Sequence, residues 1–324
     1  MGNSSDNKAW VSFCISTYKR PAFLKSALET ISRQTFRDFE VVVSDNDPEG
    51  SAGPVVKGFN DPRFKYFCNG ENLGMIQSFN KSIERSSSEY ITMITDDDPV
   101  EEKFLEEMFA LYNQYKDYSI YCGFSRTNTT AGAVEIIEKD DFITEILDVK
   151  KTTSILWSSA VMKKQAVNAI GKLPDYGSPH LSDHAMIAMT GSISGGIVIN
   201  KMYSYVNIHD NNFSKFNFRY YTIGCRAFYE IMTSFCEKHI RFKEEKDVVI
   251  KHIGNWFIVS LFNLKRYYTV NKNKEMTDQV TACARQIIAY PFMRRYIPIY
   301  FAKGAVFYIK KKLRLLRYGY NAHT

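Results

Sequence analysis

Three adjacent carboxylates, Asp96, Asp97 and Asp98, follow an apolar run in the segment YITMITDDDP. Neighbouring acids raise one another's pKa unless a positive charge lies among them, so the triplet indicates a nearby cation. Carboxylate oxygens bind Mg²⁺ when the ion also contacts phosphate groups, and a divalent metal site is therefore one interpretation. The alternative is a helix N-terminus at which Asp98, followed by Pro99, acts as the N-cap.

Three further apolar runs end in polar residues. The runs have the continuous apolar character of strands that are buried on both faces of a parallel sheet. Segments with helical spacing of apolar residues, such as AFLKSALETISRQ and MIQSFNKSIERS, lie between them. This alternation predicts an α/β domain whose ligands bind beyond the carboxyl ends of the strands. We expect the polar residues to meet at that edge: TYKR after the first run, SDND after FEVVVSD, NGENLG after FKYFCN, and TDDDP after the fourth.

Taken in order, these segments resemble the motifs of family 2 glycosyltransferases of the GT-A fold, the type found in bacterial O-antigen and capsule assembly. The resemblance covers roughly residues 9–215. It implies a Rossmann-like nucleotide-binding domain with a mostly parallel central sheet over residues 1–215. A helical C-terminal region rich in Tyr, Phe, Lys and Arg is expected over residues 216–324. The segments are VSFCISTYKRPAFL, FEVVVSDND, NLGMIQSFNKSI, YITMITDDDP and SPHLSDHAMIAMTG.

The resemblance implies a pocket for a nucleotide-sugar donor. Asp45 would accept from the nucleotide base or lie near the ribose, Asp96 would face the ribose, and Arg20 would lie near the phosphates or the loop acids. Each has an ordinary alternative: an Asx turn at Asp45, a helix-entry charge for Arg20, a turn glycine for Gly74. The predicted donor-binding residues are Thr17, Tyr18, Arg20, Asp45, Asn72, Gly74 and Asp96.

The resemblance also implies a metal and a catalytic base. Asp97 or Asp98 would bind Mn²⁺ or Mg²⁺, and His209 in YVNIHDNNFS would reach the metal or the diphosphate, although a surface histidine is equally consistent. In-line displacement needs a general base opposite the leaving diphosphate, and Asp183 in HLSDHAMIAM is the candidate. Its alternatives are a helix N-cap formed by Ser182 or Asp183, and His184 as the base, because histidine ordinarily titrates near neutrality.

The charge of the chain is concentrated at its end. The 324 residues carry a net charge of +7, and nine Lys or Arg but no acid lie from Gln279 onward. In AVFYIKKKLRLLRYGY, apolar residues recur at helical spacing between the cations, which predicts an interfacial helix on anionic lipid. The alternative is a helix packed on the body with a solvated basic face. Nucleic acid is not expected as a partner, because no nucleic-acid-binding motif accompanies the charge.

The expected location is cytoplasmic, on the inner face of the cell membrane. The six cysteines form no CxxC pair, the N-terminal residues have no apolar leader, and no apolar run reaches the roughly 18 residues of a membrane span. With the resemblance, the expected function is an inverting, metal-dependent transfer of a sugar to a hydroxyl of a lipid-linked glycan. The alternatives are a nucleotidyltransferase, although STYKRPAF lacks the glycines of that class, and a membrane-associated sugar- or nucleotide-binding scaffold without catalysis.

Overall fold

The structure is a computed structural model that describes residues 8–205, 217–298 and 302. The strands among these residues form one large and one small sheet. They are β1 (Val11–Thr17), β2 (Phe39–Asp45), β3 (Phe64–Cys68), β4 (Tyr90–Thr95), β5 (Ile120–Gly123), β6 (Ser125–Arg126), β7 (Val134–Ile137), β8 (Thr152–Ser154), β9 (Ala160–Lys163) and β10 (Gly196–Ile199).

The large sheet has the strand order β3-β2-β1-β4-β9-β5-β10-β7, and β6 pairs with β8 in the small sheet. Strands β1 to β4 are mutually parallel, and β10 is parallel to β5. Strand β9 is antiparallel to both of its neighbours, and β7 forms an antiparallel edge. The predicted α/β domain with a mostly parallel sheet is confirmed.

Helices connect the strands and form the C-terminal region. A π-helical turn, Gly254–Ile258, joins the helix Phe242–Ile253 to the helix Val259–Val270. None of the helices in the described part of the chain is long and apolar enough to cross a bilayer. They are α1 (Pro21–Ser32), α2 (Gly53–Gly58), α3 (Met75–Arg85), α4 (Phe104–Gln114), α5 (Lys139–Leu147), α6 (Lys164–Ala169), α7 (Ser182–Ser194), α8 (Tyr221–Cys236), α9 (Phe242–Ile253), α10 (Val259–Val270) and α11 (Lys274–Ala289).

The two faces of the sheet are covered by different helices. Every residue of β1 is buried, and its side chains alternate between two hydrophobic clusters, as the period of a strand requires. Phe13 and Ile15 belong to the cluster that contains the apolar residues of α1 and α4. Cys14 belongs to the cluster that contains those of α3, α5 and α7. Burial on both faces explains why the β1 sequence is a continuous apolar run.

The C-terminal helices pack on the second of these faces. Helices α8 to α11 bury Phe228, Val249, Leu261 and Ile287 in the same hydrophobic cluster as Met186 of α7. The cluster therefore continues across the expected domain boundary at residues 215 and 216, and α9 lies against both α5 and α8. The boundary itself stays a prediction.

Most early elements lie where the apolar pattern predicts them. Strand β2 has the predicted bounds, and α3 ends one residue early at Arg85. The short helix α2, which follows an Asp-Pro pair, is not predicted by the pattern. Strands β5 to β10 lie in a region where the sequence shows only mixed character, because they are two to four residues long and carry too little periodic signal.

Candidate active site

An acid and arginine cluster lies at the carboxyl ends of the neighbouring strands β1 and β4. The parallel register aligns Ser16 with Thr95, so the residues that follow each strand emerge side by side. The Thr17 hydroxyl donates to Asp96 Oδ2 at 2.8 Å. The Arg20 guanidinium donates to Asp96 Oδ1 at 2.7 Å through one nitrogen and to Asp97 Oδ2 at 2.7 Å through another. These residues, Thr17, Arg20, Asp96 and Asp97, form what we call the acid–arginine cluster.

The positive charge that the three acids require is supplied, in part, by the protein itself. Burial raises the pKa of Asp96 to about 6, while Arg20 and the Thr17 hydroxyl act in the opposite direction. A carboxyl with such a pKa is ionised at neutral pH and sensitive to any change in nearby charge. Arg20 packs its guanidinium 4.6 Å from the Phe23 ring centroid, which holds the cation over the loop acids. Of the two expected locations for Arg20, the structure places it at the acids.

Asp98 is not the N-cap of the following helix, so that alternative is wrong. Helix α4 begins at Phe104 with Lys103 as its N-cap. The intervening chain is instead tied to a segment after β10, because Val100 forms a β-bridge with Ser204 and the Ser204 hydroxyl donates to the Pro99 carbonyl. Asp98 is buried beside Asp96 and Asp97. Carboxylate oxygens are the donors that Mg²⁺ and Mn²⁺ prefer, so Asp97 and Asp98 suit a divalent ion by their donor chemistry, while Arg20 holds one oxygen each of Asp96 and Asp97.

Asp45 ends β2 and organises the loop that follows it. Its Oδ1 accepts from the Asp47 backbone N–H at 2.9 Å, and its Oδ2 accepts from the Ala52 N–H and the Tyr66 hydroxyl, each at 3.0 Å. The carboxylate is fully buried. The Asx turn is therefore present, and Asp45 holds the loop between β2 and α2. Its contact with a nucleotide base stays a prediction.

Asn72 and Gly74 form the turn into α3. The Asn72 side chain accepts from the Gly74 N–H at 3.0 Å, and Gly74 has a φ of +81°, which favours glycine. Two asparagines that sequence reasoning missed support this turn. Asn46 donates to the Gly74 carbonyl at 3.0 Å and accepts from the Asn69 amide at 2.9 Å. Their signal in the sequence is their position directly after β2 and β3.

Tyr18 lies beside the acid–arginine cluster and is exposed. The Lys19 ammonium lies 5.6 Å from its ring centroid, and Lys19 has a φ of +54° in the tight turn between β1 and α1. An exposed aromatic ring at a strand end is available to a ligand. The structure thus brings Tyr18 to the same edge as Thr17 and Arg20.

Asp183 lies in the first turn of α7. The N-cap of this helix is Leu181, in a left-handed conformation and without a side-chain cap, so the capping role considered for Ser182 or Asp183 is wrong. The side chain of Asp183 is 28% exposed and that of His184 is 14% exposed. His184 Nε2 lies 3.9 Å from Asp183 Oδ2. Both candidate bases therefore reach the surface from one helix turn.

His180 is a buried loop residue. Burial lowers its pKa to about 4, and its Nε2 lies 3.3 Å from the Asn217 carbonyl oxygen, which can only accept. Its ring contacts the rings of Tyr221 and Trp256. A neutral histidine enclosed by aromatic rings has a structural role. Trp157, likewise, packs on Phe79 in the core.

Hydrogen bonds connect the loop before α7 to the edge that carries the donor-site candidates. Asn80 of α3 donates to the Leu173 carbonyl and accepts from the Leu173 N–H, each at 3.0 Å. Gln77, one turn earlier, donates to Asp175 at 2.9 Å. Gly74, which accepts from Asn46, is the N-cap of α3, so this helix links the end of β2 to the segment that precedes Asp183. His209 and most of the basic tail lie outside the described residues.

The chain carries a glycosyl transferase family 2 domain, since residues 12–170 match that family model. A stretch of 91 residues is 32% identical to a Campylobacter jejuni GalNAc(5)-diNAcBac-PP-undecaprenol beta-1,3-glucosyltransferase, covering 27% of this chain and 29% of that protein. The chain spans less than half of the length of the curated relatives that it matches.

Two solved structures share the fold. A Pyrobaculum calidifontis mannosyltransferase, in complex with GDP-Man and Mn²⁺, has a TM-score of 0.56 at 13% identity, over 92% of this chain and 86% of its own. Residues 1–349 of S. aureus TarS, in complex with UDP-GlcNAc, have a TM-score of 0.51 at 15% identity, over 85% and 91% of the two chains. The expected GT-A-like domain with a helical C-terminal region is confirmed.

Proposed function

We propose that the protein is an inverting glycosyltransferase that moves a sugar from a nucleotide-sugar donor to a hydroxyl of a glycan. The observation that carries this proposal is the acid–arginine cluster at the ends of β1 and β4, in a domain of glycosyl transferase family 2. Acids, hydroxyls and an exposed aromatic ring at the carboxyl ends of parallel strands suit a nucleotide and its phosphates.

The donor would bind along the edge formed by the ends of β1, β2 and β4. Tyr18 and Thr17 would contact the nucleotide, Asp45 the base, and Asp96 the ribose, while the turn of Asn72 and Gly74 would border it. Both oxygens of Asp45 and of Asp96 already accept hydrogen bonds within the protein. A carboxylate has about four acceptor sites, so Asp96 can also accept from a ligand without releasing Thr17 or Arg20. Asp45 accepts a third bond from Tyr66 and is fully buried, so its contact with a base requires its loop to move.

Asp97 and Asp98, with His209 as a further candidate, would hold a divalent ion. Such an ion neutralises the charge that develops on a departing diphosphate. Arg20 is positioned to contribute to the same task, because its guanidinium faces the acids at the edge where the phosphates would lie. Phosphate is a preferred partner of arginine, which binds it with two parallel hydrogen bonds.

Asp183 would act as the general base. The acceptor O–H bond breaks as its proton passes to the Asp183 carboxylate, and the oxygen forms a bond to the anomeric carbon. The bond from that carbon to the phosphate oxygen breaks on the opposite face, and the electron pair leaves with the diphosphate. A single displacement of this kind inverts the anomeric centre. The proposal is supported by the partial exposure of Asp183 and by its freedom from a capping role.

We further propose a lipid-linked glycan acceptor, a role in surface polysaccharide synthesis such as O-antigen or capsule assembly, and a peripheral position on the inner face of the cell membrane. The name of the Campylobacter relative includes an undecaprenol-linked acceptor, which supports a lipid-linked acceptor here. The nine cations from Gln279 onward support contact with anionic lipid. In this scheme residues 1–215 carry catalysis and residues 216–324 contribute membrane contact.

Calorimetric titration of the full chain with UDP, GDP, CDP and dTDP, with and without Mn²⁺, tests the proposal. We expect Mn²⁺-dependent binding of one nucleotide, weakened at least about tenfold in Asp97→Asn/Asp98→Asn, a loss of about 1.4 kcal/mol. The matched control, Glu29→Gln/Asp140→Asn, removes two exposed acids from α1 and α5 and should bind as wild type does.

Absence of nucleotide binding under all conditions would overturn the proposal. If binding to anionic vesicles persisted in that case, the scaffold alternative would be favoured. Release of pyrophosphate from a nucleoside triphosphate and a sugar phosphate would instead favour a nucleotidyltransferase.

A further inference from the structure

A histidine pair joins the C-terminal helices to the segment of the proposed base. His184, in the first turn of α7, and His252, in the last turn of α9, come from positions 68 residues apart. His184 Nδ1 lies 2.8 Å from His252 Nε2, a hydrogen-bond distance. Because each ring nitrogen either donates or accepts, one of the two atoms must carry the proton.

The surroundings of His252 decide which atom carries it. His252 Nδ1 lies 3.0 Å from the carbonyl oxygen of Leu147, which can only accept, so Nδ1 of His252 is protonated. The ring is buried against Phe228, and burial, with His184 nearby, lowers the pKa of His252 to about 3. His252 is thus neutral at physiological pH and its Nε2 accepts. It follows that His184 donates from Nδ1.

This proton arrangement has a consequence at the surface. A neutral His184 that is protonated on Nδ1 has an unprotonated Nε2, and that atom lies 3.9 Å from Asp183 Oδ2. This distance is too long for a direct hydrogen bond. It allows one hydroxyl oxygen to lie about 2.8 Å from both atoms. One hydroxyl oxygen can therefore reach both Asp183 Oδ2 and His184 Nε2, and its single proton can be given to either acceptor.

We infer that His184 is a catalytic residue beside Asp183, and that His252 is a positioning residue that holds the Nε2 of His184 free to accept a proton. The inference rests on the proposed function. The acceptor hydroxyl would give its proton to Asp183 as the new sugar bond forms. Because the 3.9 Å gap is too long for direct transfer, a water molecule that takes the place of the hydroxyl would then pass the proton to His184 Nε2. An imidazolium next to the Asp183 carboxylate would result, with the hydrogen bond to His252 still made.

The chain offers a conservative variant at His252. In His252→Gln, the amide nitrogen can donate to the Leu147 carbonyl while the amide oxygen accepts from His184 Nδ1. In His252→Leu, neither bond forms, and His184 is free to take the Nε2-protonated form that free histidine favours in water. Comparison of the two variants therefore separates the effect of the His252 hydrogen bonds from the effect of the volume that the side chain fills.

The ring-nitrogen NMR signals of histidine-labelled full-length protein test the inference directly. His184→Gln identifies the signals of His184. We expect Nδ1 protonation of His184 in wild type and His252→Gln, and a change to predominantly Nε2 protonation in His252→Leu. Nε2 protonation in wild type would overturn the inference. An unchanged tautomer in His252→Leu would also overturn it, and if that variant fails to fold, the wild-type and His252→Gln spectra still decide.

Sugar-transfer kinetics provide the second measurement. General bases contribute about 10²–10⁴-fold to rates, and we expect kcat to fall at least about tenfold in His184→Gln and His252→Leu with the donor KM unchanged. His252→Gln should recover to within about threefold of wild type. Loss of kcat in His252→Leu without recovery in His252→Gln would indicate a structural role alone. If wild type transfers no sugar, the proposed function fails, whereas the NMR result still reports the tautomer.

Discussion

Replacement of Arg20 by glutamine is expected to destabilise the protein in a pH-dependent manner. Arg20 lies between Asp96 and Asp97, 2.7 Å from an oxygen of each. Burial raises the pKa of Asp96 from its ordinary 3.8 to about 6, so its ionisation in the folded state costs about 3 kcal/mol. Stability depends on pH because the folded and unfolded states bind the Asp96 proton with different affinities. The folded state holds this proton more tightly, so Asp96 lowers stability as pH rises from about 4 to 6.

The loss of stability in Arg20→Gln depends on whether Asp96 is charged. At pH 8 Arg20 faces an ionised Asp96, and removal of one partner of a buried pair typically costs about 3–5 kcal/mol. The Arg20 side chain is 29% exposed, so we expect about 2–3 kcal/mol at pH 8. At pH 5 Asp96 is mostly protonated and needs no counter-charge. The loss through Asp96 then disappears, and about 1 kcal/mol remains.

Urea unfolding followed by circular dichroism at pH 5 and pH 8 measures this difference. Each variant is compared with wild type at the same pH, and an unchanged m-value shows that the unfolded state is comparable. Arg33→Gln is the matched control. Arg33 pairs with Glu102 at 3.2 Å, but both side chains are more than half exposed, so its loss should be below about 1 kcal/mol at both pH values. An equal loss for Arg20→Gln at the two pH values would refute the reasoning.

Two further substitutions test the loop and the sheet. Asp45→Asn places an amide N–H group against backbone and hydroxyl donors. We expect urea unfolding to show a free energy of unfolding lower by about 2–3 kcal/mol, against about 1 kcal/mol for Tyr66→Phe. Wild-type stability of Asp45→Asn would contradict the anchoring role. Gly123→Ala sets a Cβ 2.4 Å from the Tyr203 ring, so its melting temperature should fall by several degrees, on the order of 2–4 °C per kcal/mol. Gly58→Ala, which meets nothing within 4 Å, should leave the melting temperature unchanged or higher; equal melting temperatures for the two alanine variants would show that the close approach at Gly123 is unimportant.

The local elements could be predicted because their signals lie in consecutive residues. VSFCIST and FEVVVSD are fully buried strands, and a parallel sheet with helices on both faces requires such continuous apolar runs. The polar residues after each run mark the functional edge, since parallel strands end on the same side. The capping roles considered for Asp98 and Asp183 were wrong because the N-caps of α4 and α7 are Lys103 and Leu181, which make no side-chain cap and which capping preferences would not select.

Which side chains meet was decided by the tertiary structure. Arg20 and Asp96 are 76 residues apart, and their contact depends on the pairing of β1 with β4. His184 and His252 are 68 residues apart, and no pattern in either helix predicts that α7 and α9 would both pack against α5 and bring the two rings together. The order of residues alone specifies which chemical groups follow each strand. Their partners, protonation states and tautomers depend on distances of a few ångströms between elements, and only the packed core sets those distances.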